Sequence, residues 1–156
     1  GLFDPMDARY FRLVNRAPHV HDAVRWERFG PYSPFETFQR VFHGDNVRKQ
    51  SYFDLMTHFD FKTLLPALLQ VEDRVTMAHG IEARVPFLDH PLVEFAATIP
   101  ADVKFTNGQL KRPLVDVART LLPASVADRT DKMGFPTPFN EWARGPLREF
   151  VHDMLG

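Results

Sequence analysis

Thirteen prolines divide the 156-residue chain into stretches suited to short helices, and this spacing limits the fold more than any other feature. Proline fixes φ near −65° and has no amide donor, so it is accepted in the first turn of a helix and excluded from its interior. Several prolines sit where helices should start. Asp4-Pro5 puts an N-capping residue before a proline at the first helical position, and Ser33-Pro34-Phe35-Glu36 adds the acidic residue of a capping box. A helix of about 8 to 12 residues is expected after each.

Apolar periodicity supports a mainly α fold. Leu64, Leu68, Val71 and Val75 fall at i, i+4, i+7 and i+11, with Leu65 and Leu69 widening the stripe. This predicts one amphipathic helix running to about Ala78 and stopping near Gly80, which tolerates positive φ. Pro86 pushes Val85 out of helical geometry, so Ala83 to Leu88 reads as a stretched connector. Asp89-His90-Pro91 restarts a helix that ends by Pro100, and Leu110, Leu114, Val117 and Leu121 form a further stripe closed by Pro123. Arg129 to Trp142, with Gly134, Pro136 and Pro138, reads as a loop. In the first sixty-one residues Phe3, Phe11, Trp26, Phe29, Tyr32, Phe35, Phe38, Phe42, Tyr52, Phe53, Phe59 and Phe61 are expected to fill the core. Residues 1–156 are taken as a single helical subdomain.

Hydrophobic residues at 44% and charged residues at 25% describe an ordinary folded chain rather than a disordered one. A net charge of −1 gives no bulk attraction to nucleic acid or to an anionic membrane. A nucleic-acid reading of Lys111-Arg112 and Arg129 to Lys132 is opposed by Asp116, Asp128 and Asp131 nearby. Without cysteine the chain has no thiolate chemistry, and without a long apolar run it has no membrane span, so the expected setting is cytoplasmic. The opening Gly1-Leu2-Phe3-Asp4 carries no initiating methionine, which reads as a cut, processed or partial chain.

Chemistry is confined to a few residues. The seven histidines form no helical His-x-x-x-His pair, so no metal site is expected. No two glycines lie within ten residues of each other, which excludes a self-contained phosphate cradle. Glu82 stands where a helix gives way to an apolar connector. Partial burial is expected there, and a partly desolvated carboxylate accepts a proton near neutral pH. Lys132 lies on the Gly-Pro loop, where a lysine can neutralise charge developing on a phosphate. Arg84, close to Glu82 and Asp89, reads as a structural ion-pair partner rather than a substrate clamp.

Leu65-Pro66-Ala67-Leu68-Leu69, Asp73-Arg74-Val75-Thr76-Met77-Ala78 and the eleven residues Gly80-Ile81-Glu82-Ala83-Arg84-Val85-Pro86-Phe87-Leu88-Asp89-His90 closely resemble the signature of the asparagine synthetase (glutamine-hydrolysing) family. The resemblance continues through Leu92 to Ala96, Ile99-Pro100, Lys104, Lys111, Leu121-Leu122-Pro123, Arg129, Lys132, Gly134-Phe135, Pro138 and Trp142, about residues 60 to 145. Thr76 stands where the family commonly has serine. Residues 1–60 resemble the helical stretch preceding the signature and are not placed one by one.

The resemblance implies the helical, C-terminal portion of a synthetase domain of the PP-loop ATPase type, with its parallel sheet and SGGxDS loop outside this chain. It implies a ligase that uses ATP and Mg²⁺ to activate a carboxylate, by default aspartate, as an acyl-adenylate attacked by glutamine-derived ammonia. Glu82 then corresponds to the glutamate that assists the attacking nitrogen, and Lys132 to the lysine that binds the leaving pyrophosphate. The implied partners are the nucleotide-binding and glutaminase parts of the same enzyme, with homo-oligomerisation expected. Relatives with similar signatures amidate polysaccharide-linked carboxylates or close lactam rings. A different class of function, a helical interaction module without catalysis, is the alternative.

Overall fold

The computed structural model describes residues 1, 3–131, 134 and 137–155, and among them helices are joined by turns with no β-strand. This agrees with the mainly α expectation. The chain forms two compact units, Gly1–Gly108 and Gln109–Gly156.

The first unit contains α1 (Met6–Val14), α2 (Pro34–Phe42), α3 (Tyr52–Lys62), α4 (Leu64–Met77), α5 (His90–Thr98) and α6 (Ala101–Lys104). Short 3₁₀ segments span Ala17–Ala23, Trp26–Phe29 and Pro86–Leu88. Two serines set the starts of α2 and α3. Ser33 Oγ accepts from the Glu36 amide at 3.2 Å, and Ser51 Oγ accepts from the Asp54 amide at 3.1 Å, each satisfying a donor that the first helical turn leaves free. The first expected cap is different. Pro5 takes the position before α1, while the Asp4 carboxylate turns to Arg12 Nη2 at 2.7 Å, so an ion pair replaces the backbone cap.

The core is an aromatic layer among α1, α2 and α3. Tyr10, Phe38, Phe42 and Leu55 are buried, and Phe11, Val14, Phe35, Val47, Tyr52, Met56 and Phe59 pack around them. Phe38 meets Phe59 at 4.7 Å and Phe42 at 5.1 Å between ring centroids, while Tyr10 stands edge-on to Phe59 at 5.9 Å. Such ring pairs add to the gain from area burial. Phe3, Phe29, Tyr32 and Phe61 are exposed, contrary to the expectation that they fill the core. Phe61 follows Phe59 by two residues on one helix and therefore faces away from it. Phe29 ends a 3₁₀ segment and Tyr32 follows it, where no helical period aims them inward.

Two carboxylates pin this layer. Asp7, buried, accepts from Gln39 Nε2 at 2.6 Å and the Ala8 amide at 2.7 Å, and lies 3.2 Å from His43 Nε2. Burial pushes the Asp7 pKa up, but the bonds from Gln39, His43 and Ala8 outweigh it and the net shift is downward. The Tyr10 hydroxyl donates to Asp60 Oδ1 at 2.7 Å, and burial followed by this bond raises the phenol well above its ordinary range.

The α4 stripe has the predicted bounds but no cover. Leu64, Leu68, Val71 and Val75 are each more than half exposed, and neither α4 nor α5 buries a residue. The stretched connector is shorter than expected. Val85 is non-helical at φ −119° and ψ 77°, yet Pro86–Leu88 closes a 3₁₀ turn through Leu88 N–H donating to Val85 O at 2.8 Å.

The second unit contains α7 (Arg112–Leu121), α8 (Ala124–Ala127), α9 (Phe139–Arg144) and α10 (Arg148–Leu155). Leu110 falls outside α7 because Lys111, at φ 57°, interrupts helical geometry just before it. The expected loop does not reach Trp142, which α9 takes into a helix. Two of the basic residues set against acidic neighbours are paired with them, Arg112 with Asp116 at 3.1 Å and Arg129 with Asp131 at 2.8 Å, while Asp128 pairs instead with Arg119 at 2.8 Å.

Candidate functional site

Helix α4 delivers the candidate site to its carboxyl end. Thr76 Oγ1 donates to the Glu72 carbonyl at 2.8 Å and the Asp73 carbonyl at 3.2 Å, so the hydroxyl shared by threonine and serine is used within the helix. Beyond Met77 the chain turns at Gly80, φ 66°, as its position in the sequence predicted.

Glu82 follows in the segment between α4 and the 3₁₀ turn. Its Oε2 lies 2.9 Å from Arg84 Nη2 in an ion pair, with side chains 68% exposed for Glu82 and 81% for Arg84. The structural ion pair read from sequence is therefore present. Such an exposed pair contributes little to stability and leaves the carboxylate facing solvent. The partial burial expected of Glu82 is not found. The connector meant to cover it is itself on the surface, with Ile81, Val85 and Phe87 all exposed.

Lys132, the second candidate, lies outside the described residues. On its amino-terminal side, Arg129 holds Asp131 in a fork, Nε to Oδ1 at 2.8 Å and Nη2 to Oδ2 at 3.1 Å. The Arg129 hydrogen bond holds the Asp131 carboxyl below its ordinary range. Among the described residues no three His, Asp or Glu side chains are grouped to hold a metal ion.

The family model described as Asparagine synthase matches residues 2–156. The chain belongs to the asparagine synthase family. Its match also takes in the first sixty residues, which sequence reading left unplaced. Asparagine synthetase [glutamine-hydrolyzing] 1 of Bacillus subtilis is 30% identical over 97% of this chain and 24% of its own length. A putative asparagine synthetase [glutamine-hydrolyzing] of Mycobacterium bovis is 35% identical over 72% of this chain and 16% of its own. Amidase chry2 of Gibberella zeae is 26% identical over 81% of this chain and 21% of its own. The chain thus spans about a quarter or less of the length of these relatives. No solved structure matches it.

Asparagine synthase signature residues stand here on a helix end and an exposed segment. The tertiary pins were absent from the sequence reading. Asp7 meets Gln39 and His43 across more than thirty positions, and no local spacing marks such a pair. The turn at Gly80 was only half legible, since the glycine signals the turn but not which carbonyls it closes.

Proposed function

We propose that this chain is the carboxyl-terminal part of the synthetase half of a glutamine-dependent, asparagine-synthetase-like carbon–nitrogen ligase. The observation that carries this reading is the eleven-residue block Gly80 to His90 within a family match that covers residues 2–156. The completed fold would be of the PP-loop ATPase type, working in the cytoplasm, with the nucleotide-binding and glutaminase parts supplied by the rest of the enzyme.

In the proposed reaction a carboxylate oxygen of the acceptor, aspartate by default, attacks the α-phosphorus of ATP and pyrophosphate leaves. The nitrogen of glutamine-derived ammonia then attacks the acyl carbon, the bond to AMP breaks, and the amide forms. Glu82 accepts the proton that this nitrogen sheds. Because the carboxylate is exposed in this chain, the role requires that the rest of the enzyme cover it. Lys132 supplies positive charge to the departing pyrophosphate. Mg²⁺ belongs to the reaction as proposed. The described residues group no donors for it, so no step here is assigned through the ion.

The two roles separate in one experiment on the full chain as its gene encodes it. Glu82→Gln keeps the side-chain size and removes basicity, so amide formation should fall by about 10² to 10⁴ while pyrophosphate exchange changes much less. Lys132→Ala should depress pyrophosphate exchange itself by on the order of 10² to 10³. Wild-type turnover in both variants would remove the reading. The exposed apolar stripe on α4 also supports association with the rest of the enzyme or with a second copy. Sedimentation of this chain alone as a strict monomer at high concentration would count against the self-association it predicts.

A further inference from the structure

The exit from α4 is tied at two backbone positions. Ile81 N–H donates to the Thr76 carbonyl at 3.0 Å, and Gly80 N–H donates to the Met77 carbonyl at 3.0 Å. These are the paired bonds of a Schellman motif, with Gly80 at φ 66° in the left-handed position. A Cβ built on Gly80 meets nothing within 4 Å, so a larger residue is opposed by backbone conformation and not by a lack of room.

Downstream, little else holds the chain. Ile81 and Glu82 are exposed, and the side-chain tie made by Glu82 is its solvent-facing pair with Arg84. The fixed point nearest to Glu82 is therefore the turn two residues before it. We propose that Gly80 is a positioning residue for amide formation: its left-handed backbone fixes the direction in which Ile81-Glu82 leaves α4, and so holds the Glu82 carboxylate at the reacting nitrogen. This rests on the reading of Glu82 as proton acceptor. Gly80 itself touches no substrate.

The physical consequence is a ranking by conformation instead of size. Residues with a Cβ populate the left-handed region at a cost, asparagine less than alanine, and β-branched residues most of all. The chain already contains an asparagine in that region, Asn107 at φ 53°. If only molecules with the turn closed react, the rate falls with the closed fraction.

The test is a series at position 80 in the full chain, read by amide formation and by pyrophosphate exchange. Gly80→Ala should lower kcat for amide formation roughly 5- to 30-fold, the population cost of a left-handed Cβ residue, and Gly80→Val should lower it further. Gly80→Asn should recover most of the loss. Pyrophosphate exchange and the KM for the acceptor should stay within about twofold, since neither depends on proton transfer from nitrogen. In a Glu82→Gln background, Gly80→Ala should add less than about twofold, because the group being positioned is gone.

A loss that multiplies in the double variant, or equal losses for asparagine and alanine, would overturn the proposal in favour of general damage to the fold. Wild-type rates in Gly80→Ala with a crippled Glu82→Gln would also overturn it, while leaving the proposed role of Glu82 standing. Wild-type rates in Glu82→Gln would sink that role and this inference together. If Gly80→Val fails to fold, the alanine and asparagine variants still carry the comparison.

Discussion

Helices α2 and α4 both carry an apolar stripe, yet only one of them is covered. Phe38 and Phe42 of α2 sit in an aromatic layer closed by Tyr10 and Leu55, whereas Leu68, Val71 and Val75 of α4 remain mostly in solvent. The α2 region is stabilised by contacts made within the chain. The α4 region carries the recognisable family signature and has almost no interior of its own. Apolar periodicity therefore predicts that a face will be buried, but not that the cover belongs to the same stretch of chain. Here the family signature lies where burial is lacking.

The contrast should be sharpest in stability measurements. Phe42→Ala removes a fully buried ring and should cost about 3 to 5 kcal/mol by denaturant unfolding. For a chain of this size that should abolish cooperative folding or nearly so. A small loss would mean that the aromatic layer is not the seat of stability.

Asp7→Ala should cost about 1.5 to 3 kcal/mol, because it removes a charged acceptor from Gln39 and the Ala8 amide. The same carboxylate gives a pH signature. Its folded pKa lies below the unfolded value of 3.8, so its contribution is present above that value and is lost as pH falls through the depressed folded pKa. Unfolding midpoints should drop at acid pH in the natural chain, with a weaker drop in Asp7→Asn. Identical acid profiles for the two would show that Asp7 does not pin α1 to α2.

Ser51→Ala should cost about 1 kcal/mol, as expected for an N-cap that accepts from the Asp54 amide. Smallest of all, Leu68→Ala should change the stability of this chain by less than about 0.5 kcal/mol, since the side chain is already exposed. A loss in the full chain with none in this segment would sharpen the comparison by showing that the rest of the protein covers α4.

Much of the local grammar was legible before any coordinates. Ser33, Gly80, Pro91 and Pro123 marked helix boundaries because capping and proline geometry act over one turn. Asp4 misled because a nearby arginine competed for its carboxylate, and Pro86 because it could begin a 3₁₀ turn as well as end an extended run. Helix α10 went unforeseen although its stripe was there to read, with Leu147, Phe150, Val151, Met154 and Leu155 at i, i+3, i+4, i+7 and i+8. Glu82 was singled out from the sequence, but its exposure was not legible there, since burial depends on what packs over a segment. Tyr10, at the centre of the core, was passed over among more numerous phenylalanines, and its partner Asp60 lies fifty residues away.

That tyrosine also sets an alkaline limit. Its phenol is buried against the Asp60 carboxylate and resists ionisation in the folded chain, while the same group in an unfolded chain releases its proton near pH 10. Folding energy tied to the neutral phenol is complete below that pH and drains away as alkalinity rises toward the folded pKa. In a base titration, the ultraviolet band of tyrosinate from Tyr10 should therefore appear together with collapse of the aromatic layer, so that a single chromophore reports the moment the core opens.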